Sequence, residues 1–391
     1  MRFLTSVLLL STALAQSGPR VQLSHTTESL RGVSVVSRQV AWASGTHGTY
    51  LRTIDSGITW TPTQVPGAEA LDFRGVVAFS ADEAFLMSSG LGDQARIYHT
   101  ADAGKSWQLQ FTSPNPKGFF DSIAFWDPKH GVVVGDPLPD NSGKLTFEVL
   151  LTDDGQNWHA VPSSALPVAI QGEGSFAASN TCIAILNSPA EVVAPASSPA
   201  VAEASRLRSD VWFATGGPVA RVLHSPDRGH TWEVFDTPIW HGRDSTGIFS
   251  IAFRDPLHGV IAGGDYKHPN DDGDNLAFTD DGGKHWTLSP LHPQAFFSSV
   301  VYDRSVNAAA LRQQAEEQAA EAKGKKVRVK PVAPQRLFIV GQDFIFDFRP
   351  PSNPERISAK KSWGMQFNAA SPYPEGGALI VGPKGSIAYL P

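Results

Sequence analysis

Five octads in one chain repeat the spacing Ser/Thr-x-Asp-x-Gly-x-x-Trp, and no other feature restricts the fold as much. They are Thr53–Trp60, Thr100–Trp107, Leu151–Trp158, Ser225–Trp232 and Thr279–Trp286. The third lacks only the leading hydroxyl and puts Asp153 in the acid position. Each octad has the chemistry of a tight hairpin. Asp accepts bonds from backbone N–H groups just ahead of it, Gly takes the positive φ, and Trp anchors the returning strand in apolar surface. An acid that does chemistry is needed once per site, not once per repeat. Asp55, Asp102, Asp153, Asp227 and Asp281 therefore read as turn staples, and Trp60, Trp107, Trp158, Trp232 and Trp286 as their anchors.

Ahead of each octad come an apolar strand, a turn, a second apolar strand and a third strand leading into the box. Blade one runs through 32–36, 40–45 and 49–52; blade two offers 75–79 and 84–87. Blades three and five are near copies, 122–136 and 250–265, each with an Asp-Pro-x-His-Gly turn in which His130 and His258 read as turn residues. Blade four is assigned strands at Ser175–Ala178 and 182–186, then an Ala/Pro/Ser/Val insertion at 188–208, and resumes at Val211. Blade six starts at Phe297. Its insertion at 305–334 combines an Ala/Gln/Glu-rich helical stretch with a basic run read as a solvated linker, and its octad has decayed to Lys361-Ser362-Trp363. Blade seven is assigned Gly364–Phe367, 378–382 and 386–390, one strand short, while 21–25 near the other terminus has no partner. Pairing the two closes a ring and removes exposed sheet edges. The expectation is an all-β, seven-bladed propeller of four-stranded antiparallel blades over 16–391, with six blades as the alternative.

Composition narrows the function. A net charge of −6 argues against general nucleic-acid binding. Arg2, the apolar run Phe3–Leu10 and Ala13-Leu14-Ala15 read as a secretory signal over 1–15, too short to span a bilayer, so the expected protein is exported to the periplasm or outside, monomeric and not membrane-spanning. The single cysteine, Cys182, lies in an apolar run and reads as buried and structural.

The repeat unit, an apolar strand, His-Gly, Val-Gly and then Thr-x-Asp-x-Gly-x-x-Trp, resembles the Asp-box (BNR) repeat of the sialidase-like propellers. Over roughly 28–391 the fuller unit is similar to the photosystem II stability and assembly factor family, exported seven-bladed propellers. That resemblance implies a non-catalytic binding role: holding another protein, or a membrane-protein complex, during assembly. The two insertions depart from the compact family pattern.

The boxes lie on the turns between third and outermost strands, so a ligand site belongs on the opposite face. Residues just before each innermost strand ring that mouth: Glu28, Arg31, Asp72, Arg74, Asp121, Glu173, Arg243, Asp244 and Gln294, with apolar surface from Phe119, Phe120 and Phe296. Arg31 and Arg74 hold like positions and suit a carboxylate or phosphate. The loop 265–275 is rich in oxygen ligands but lacks the alternation and distal Glu of a calcium loop, so no metal is expected. The first rival reading is a glycosidase acting on a glycan with two carboxylates among Asp72, Asp121 and Glu173. The early sialidase Phe-Arg-Ile-Pro is absent; Asp347-Phe348-Arg349-Pro350 is late and lacks Ile. An oxidoreductase is the weaker rival, with no G-x-G-x-x-G and no haem motif. No cofactor is expected.

Overall fold

Each octad closes the outer hairpin of a four-stranded antiparallel sheet, and seven such sheets are arranged as blades. The computed structural model describes residues 19–186, 209–271, 273–290, 295–305, 336–348, 355–358 and 364–391. The signal segment 1–15, the insertion 188–208, nearly all of 305–334, Gln294 and the decayed octad 361–363 lie outside the described residues.

From the inner strand outward, blade one is Leu30–Val35, Ala41–Gly45, Thr49–Thr53 and Thr61–Gln64. Blade two is Asp72–Ala78, Ala84–Ser89, Arg96–Thr100 and Gln108–Thr112. Blade three is Phe120–Asp127, His130–Pro139, Leu145–Thr152 and His159–Ala160. Blade four is Ile183–Ile185, Val211–Ala214, Arg221–Ser225 and Glu233–Asp236. Blade five is Thr246–Phe253, Gly259–Asp265, Leu276–Thr279 and Thr287–Leu288. Blade six is Ser299–Tyr302, Leu337–Val340, Phe344–Phe348 and Glu355–Ser358. Blade seven is Ala369–Pro372, Ala378–Gly382 and Ser386–Leu390, completed by Arg20–Gln22 from the other end of the chain. Arg20 pairs with Tyr389, Val21 with Ala388 and Gln22 with Ile387, so the ring closes with strands from both termini.

The strands are apolar on both faces because every blade is sandwiched between two others. Side chains alternate along a strand. Val132 and Val134 of blade three therefore pack towards blade four, and Val133 between them packs towards blade two. Each of the seven seams holds one apolar cluster. The box tryptophans follow the same logic. Each packs in the seam shared with the preceding blade, from Trp60 against blade seven to Trp286 against blade four.

Inside the boxes of blades one, two, four and five the bonding is uniform. The Thr53 hydroxyl donates to Asp55 at 2.9 Å and accepts from the Gly57 N–H at 2.9 Å; Asp55 accepts the Thr59 N–H at 2.9 Å. The residue after the acid has positive φ and donates its N–H to the turn between the first two strands of the same blade, as Ser56 does to Gln39 and Gly282 to Leu257. The box thus ties one hairpin to the other.

Blade three departs from the expectation. Asp154, not Asp153, accepts from the Thr152 hydroxyl and from the N–H groups of Gln156 and Asn157. Thr152 supplies the hydroxyl that the octad alignment lacks. One residue between acid and glycine has been lost, and the turn absorbs it by shifting the Thr–Asp pair one place along the chain. Asp153→Ala is expected to leave the melting temperature unchanged, whereas Asp154→Ala lowers it. Asp281→Ala, which removes an intact box acid, is expected to cost about 1–2 kcal/mol, as for other lost caps, without altering partner binding. A thermal melt of the three variants beside the parent checks this.

Two assigned strands are not strands. Ser175–Ala178 runs as an irregular segment, and the inner strand of blade seven is Ala369–Pro372 rather than Gly364–Phe367. Both stretches carry apolar residues that suit a strand locally, but the Ala177 carbonyl accepts from Arg74 of blade two and the Phe367 N–H donates to the Gln342 carbonyl of blade six.

Candidate functional site

The inner strands of four blades break register at the same place. The bulges fall between Leu30 and Gly32, Phe73 and Gly75, Phe120 and Ser122, and Ile248 and Ser250. A bulge inserts one unpaired residue and re-aims its side chain. The residues so placed are Arg31, Arg74, Asp121 and Phe249. All four sit in the local pattern apolar–x–small–apolar, at the strand end opposite the boxes. Blades six and seven carry Ser298 and Asn368 at the corresponding place. These two lace the ring: Ser298 donates to the Asn368 carbonyl at 2.6 Å, and Asn368 donates to the Leu30 carbonyl at 2.9 Å.

The long connection from blade three to blade four crosses this mouth. The Arg74 guanidinium donates to the Ala177 carbonyl at 3.1 Å. Asn180, in the left-handed region, accepts from the Ile123 N–H and donates to the Ile123 carbonyl. Ser179 donates to the Ser298 carbonyl, and Thr181 shares a hydrogen bond with Ser250 at 2.7 Å. Residues 174–181 therefore reach blades two, three, five and six.

The expected site residues divide into groups. Arg31, Asp72 and Arg74 come together on blades one and two. Asp72 Oδ2 lies 2.8 Å from Arg74 Nε and 3.6 Å from Arg31 Nη2, and burial pulls the Arg31 pKa below its ordinary value. Glu28 stands apart. It accepts from Thr46 and His47, and the His47 contact holds its carboxyl below the usual range. Arg243 is exposed, 3.2 Å from Asp265 and 5.3 Å from the Trp240 ring; neighbouring Asp244 is exposed as well. Phe296 packs edge-on against Phe249, which stacks on Phe176 at 3.8 Å, with half-exposed Tyr266 against both. These four rings form an apolar wall on the side of blades four to six.

Three expectations are corrected. Phe120 is fully buried in the seam of blades two and three, because the bulge turns Asp121 and not its neighbour towards the mouth, while Phe119 beside it is half-buried. Glu173 has no exposed side-chain surface. Its carboxylate accepts from Arg221, from the Thr215 hydroxyl and from the Ile170 N–H, which makes it a buried ion pair rather than a rim acid. Asp121, 1% exposed, is beneath the rim rather than on it.

The acids that accompany Asp121 were not anticipated. Asp136 lies in a second bulge of blade three, and Glu148 on the adjoining strand is partnered with Gly135. Burial pushes the Asp121 carboxyl well above its usual range, with Asp136 and Glu148 adding to the effect and Arg74 opposing it. Burial lifts Asp136 to about 6, against the Ser175 N–H, and Glu148 to about 7. Cys182 is buried below them, its thiol pushed up to about 12 by burial and by Asp121, which fits an inert structural cysteine.

Fold and boxes together define an Asp-box β-propeller. The family model described as photosynthesis system II assembly factor YCF48 matches residues 12–165. The chain resembles the photosystem II stability/assembly factor HCF136 of Arabidopsis thaliana, 38% identical over 66 residues, a match covering 16% of this chain and 15% of that protein. Among solved structures, YCF48 bound to D1 peptide superposes with a TM-score of 0.60 at 16% identity over 96% of each chain. Virginiamycin B lyase from Staphylococcus aureus superposes with a TM-score of 0.55 at 11% identity, over 95% of this chain and 98% of that one. These structural likenesses show the propeller fold. Among the described residues no helix is long and apolar enough to cross a membrane.

Proposed function

We propose that this chain is an exported, monomeric, non-catalytic propeller that grips a segment of another protein at the mouth of blades one to three, assisting assembly of a cell-envelope complex. The observation that carries the reading is the concentration of unanswered polar groups there. Arg31 Nε, Asp72 Oδ1, both oxygens of Asp121 and Glu148 Oε2 are buried without a hydrogen-bond partner among the described residues. Buried polar atoms are nearly always bonded, and exceptions call for an explanation. A bound peptide supplies one, since it brings both carbonyl acceptors and N–H donors. Arg31 and Arg74 on adjacent blades add a forked grip for a carboxylate, and the Phe176–Phe249–Tyr266–Phe296 wall offers apolar surface opposite. In support, YCF48 has been solved with a peptide bound, and HCF136 is described as a stability and assembly factor. Export rests on the sequence pattern of 1–15.

The glycosidase reading loses its carboxylate pair. Glu173 is consumed by Arg221, Asp121 lies beneath the rim rather than across a cleft from a second acid, and Asp72 lies against two arginines. The general acid and its partner need to face one cleft across the scissile bond.

The test is affinity capture from the native cell envelope after mild cross-linking, with the Arg31→Glu/Arg74→Glu variant run in parallel. A stoichiometric partner is expected from the parent protein and at least tenfold less from the variant, with the milder Arg31→Gln/Arg74→Gln variant, which sets no new charge beside Asp72, losing the partner as well while still melting cooperatively. Equal recovery from all three would remove the mouth from the interaction.

A further inference from the structure

The mouth of blade three contains more acid than its own chain answers. Asp121 has neither oxygen bonded, Glu148 has one oxygen unbonded, and Asp136 receives the Ser175 N–H at 3.2 Å. Arg74 is the cation whose charge reaches Asp121, but its Nε is committed to Asp72 at 2.8 Å and its Nη1 to the Ala177 carbonyl at 3.1 Å, and it donates no hydrogen bond to Asp121. Asp136 and Glu148 are part-exposed and form a rim, with Asp121 as the floor. Two glycines lie against the rim acids. A Cβ on Gly174 would come within 2.7 Å of Asp136 Oδ1, and one on Gly118 within 3.1 Å of Glu148 Oε2.

A buried carboxyl without a donor is costly in either protonation state, because the ion lacks solvation and the acid lacks an acceptor. An asparagine or an apolar residue at 121 would fold at least as well. The acid is therefore explained by something that arrives from outside. Among the described residues no three such groups converge closely enough to hold a metal ion. A guanidinium or an ammonium spans a wider gap, since it carries five or three donors.

Resting on the peptide-binding reading above, we propose that Asp121, Asp136 and Glu148 form a subsite for a cationic side chain, lysine or arginine, of the bound protein segment. With Arg31 and Arg74 on the neighbouring blades, the mouth then reads two signs of charge along one peptide: an acidic group over blades one and two, and a basic one over blade three. That opposition sets register and direction, which a single charged patch does not.

The experiment presents positional-scanning hexapeptide mixtures to the full chain at pH 8. Each mixture fixes one position as lysine, arginine, citrulline or norleucine. The same mixtures are presented to the Asp121→Asn/Glu148→Gln variant. Mixtures fixed as lysine or arginine at one position are expected to bind at least tenfold tighter than their citrulline or norleucine counterparts, and the preference vanishes in the variant. The variant is isosteric and is expected to melt higher than the parent at pH 8, so lost preference with raised stability separates recognition from misfolding. Tight binding that ignores the basic residue, or a preference retained in the variant, overturns this inference and leaves the peptide-binding reading standing. Absence of binding by every mixture sinks both. Stabilisation by arginine amide alone, equal to that by the best mixture, makes a small free amine the occupant and overturns the peptide assignment.

Discussion

Glu173→Ala is expected to destabilise the propeller by about 3–5 kcal/mol, the cost of leaving a buried charge without its partner. Arg221 reaches Glu173 through two guanidinium nitrogens, Nε at 2.9 Å, and donates from Nη2 to the Val168 carbonyl as well. Its side chain is 10% exposed and that of Glu173 is not exposed at all. Truncation of Glu173 therefore strands the guanidinium and also frees Thr215 and the Ile170 N–H. The loss spreads, because residues 168–173 feed the segment that crosses the mouth. Replacing both partners by apolar residues, Glu173→Leu/Arg221→Met, is expected to recover most of the stability, since no charge is then left buried. Denaturant unfolding of the two variants checks the contrast. A Glu173→Ala protein as stable as its parent would mean that the pair is solvated and free to serve elsewhere.

That pair also shows what a sequence hides. Glu173 precedes Ser175–Ala178, which reads as an inner strand, and nothing local distinguishes it from Asp72. Only the fold brings in Arg221, from the third strand of the same blade. The architecture was far more legible, because it is written in repeats. The octads mark the outer hairpins, apolar strands at regular spacing supply the blades, and the unpaired segments at both ends supply the closure. Where a repeat slipped by one residue, adjacent aspartates concealed it. Asp153 and Asp154 are chemically alike, and only backbone geometry reveals which accepts the turn. The mouth was half legible. Arg31 and Arg74 were visible as like positions in successive blades. Asp136 and Glu148 were missed because they come from the second and third strands, whereas attention to the residues before inner strands finds only the first. The apolar–x–small–apolar pattern at Leu30–Val33, Phe73–Val76, Phe120–Ile123 and Ile248–Ile251 was the available signal for the bulges, and it emerges once the inner strands are aligned.

The same acids predict an unusual stability profile for the unliganded protein. Asp136 at about 6 and Glu148 at about 7 titrate above their ordinary values of 3.8 and 4.5, both because of burial. A raised carboxyl binds its proton more tightly in the folded state. Its contribution is complete below the unfolded value and is lost as pH rises through the folded one. Each group thus removes on the order of 2–3 kcal/mol between about pH 4 and pH 7. The box acids oppose this at the acid end. Hydrogen bonds from Ser106 hold Asp102 at about 2; at Asp281 partial burial pushes upward, but the His285 N–H and imidazole bring it to about 2. Depressed carboxyls contribute above their unfolded value of 3.8 and lose that contribution as pH falls towards 2. The melting temperature is therefore expected to peak near pH 4–5 and to fall on both sides, with Glu148→Gln flattening the neutral side alone. Melts from pH 3 to 8 check it. A parent protein whose stability rises steadily to pH 7 would mean that the blade-three acids are ionised and already solvated, with no unanswered charge for a partner to satisfy.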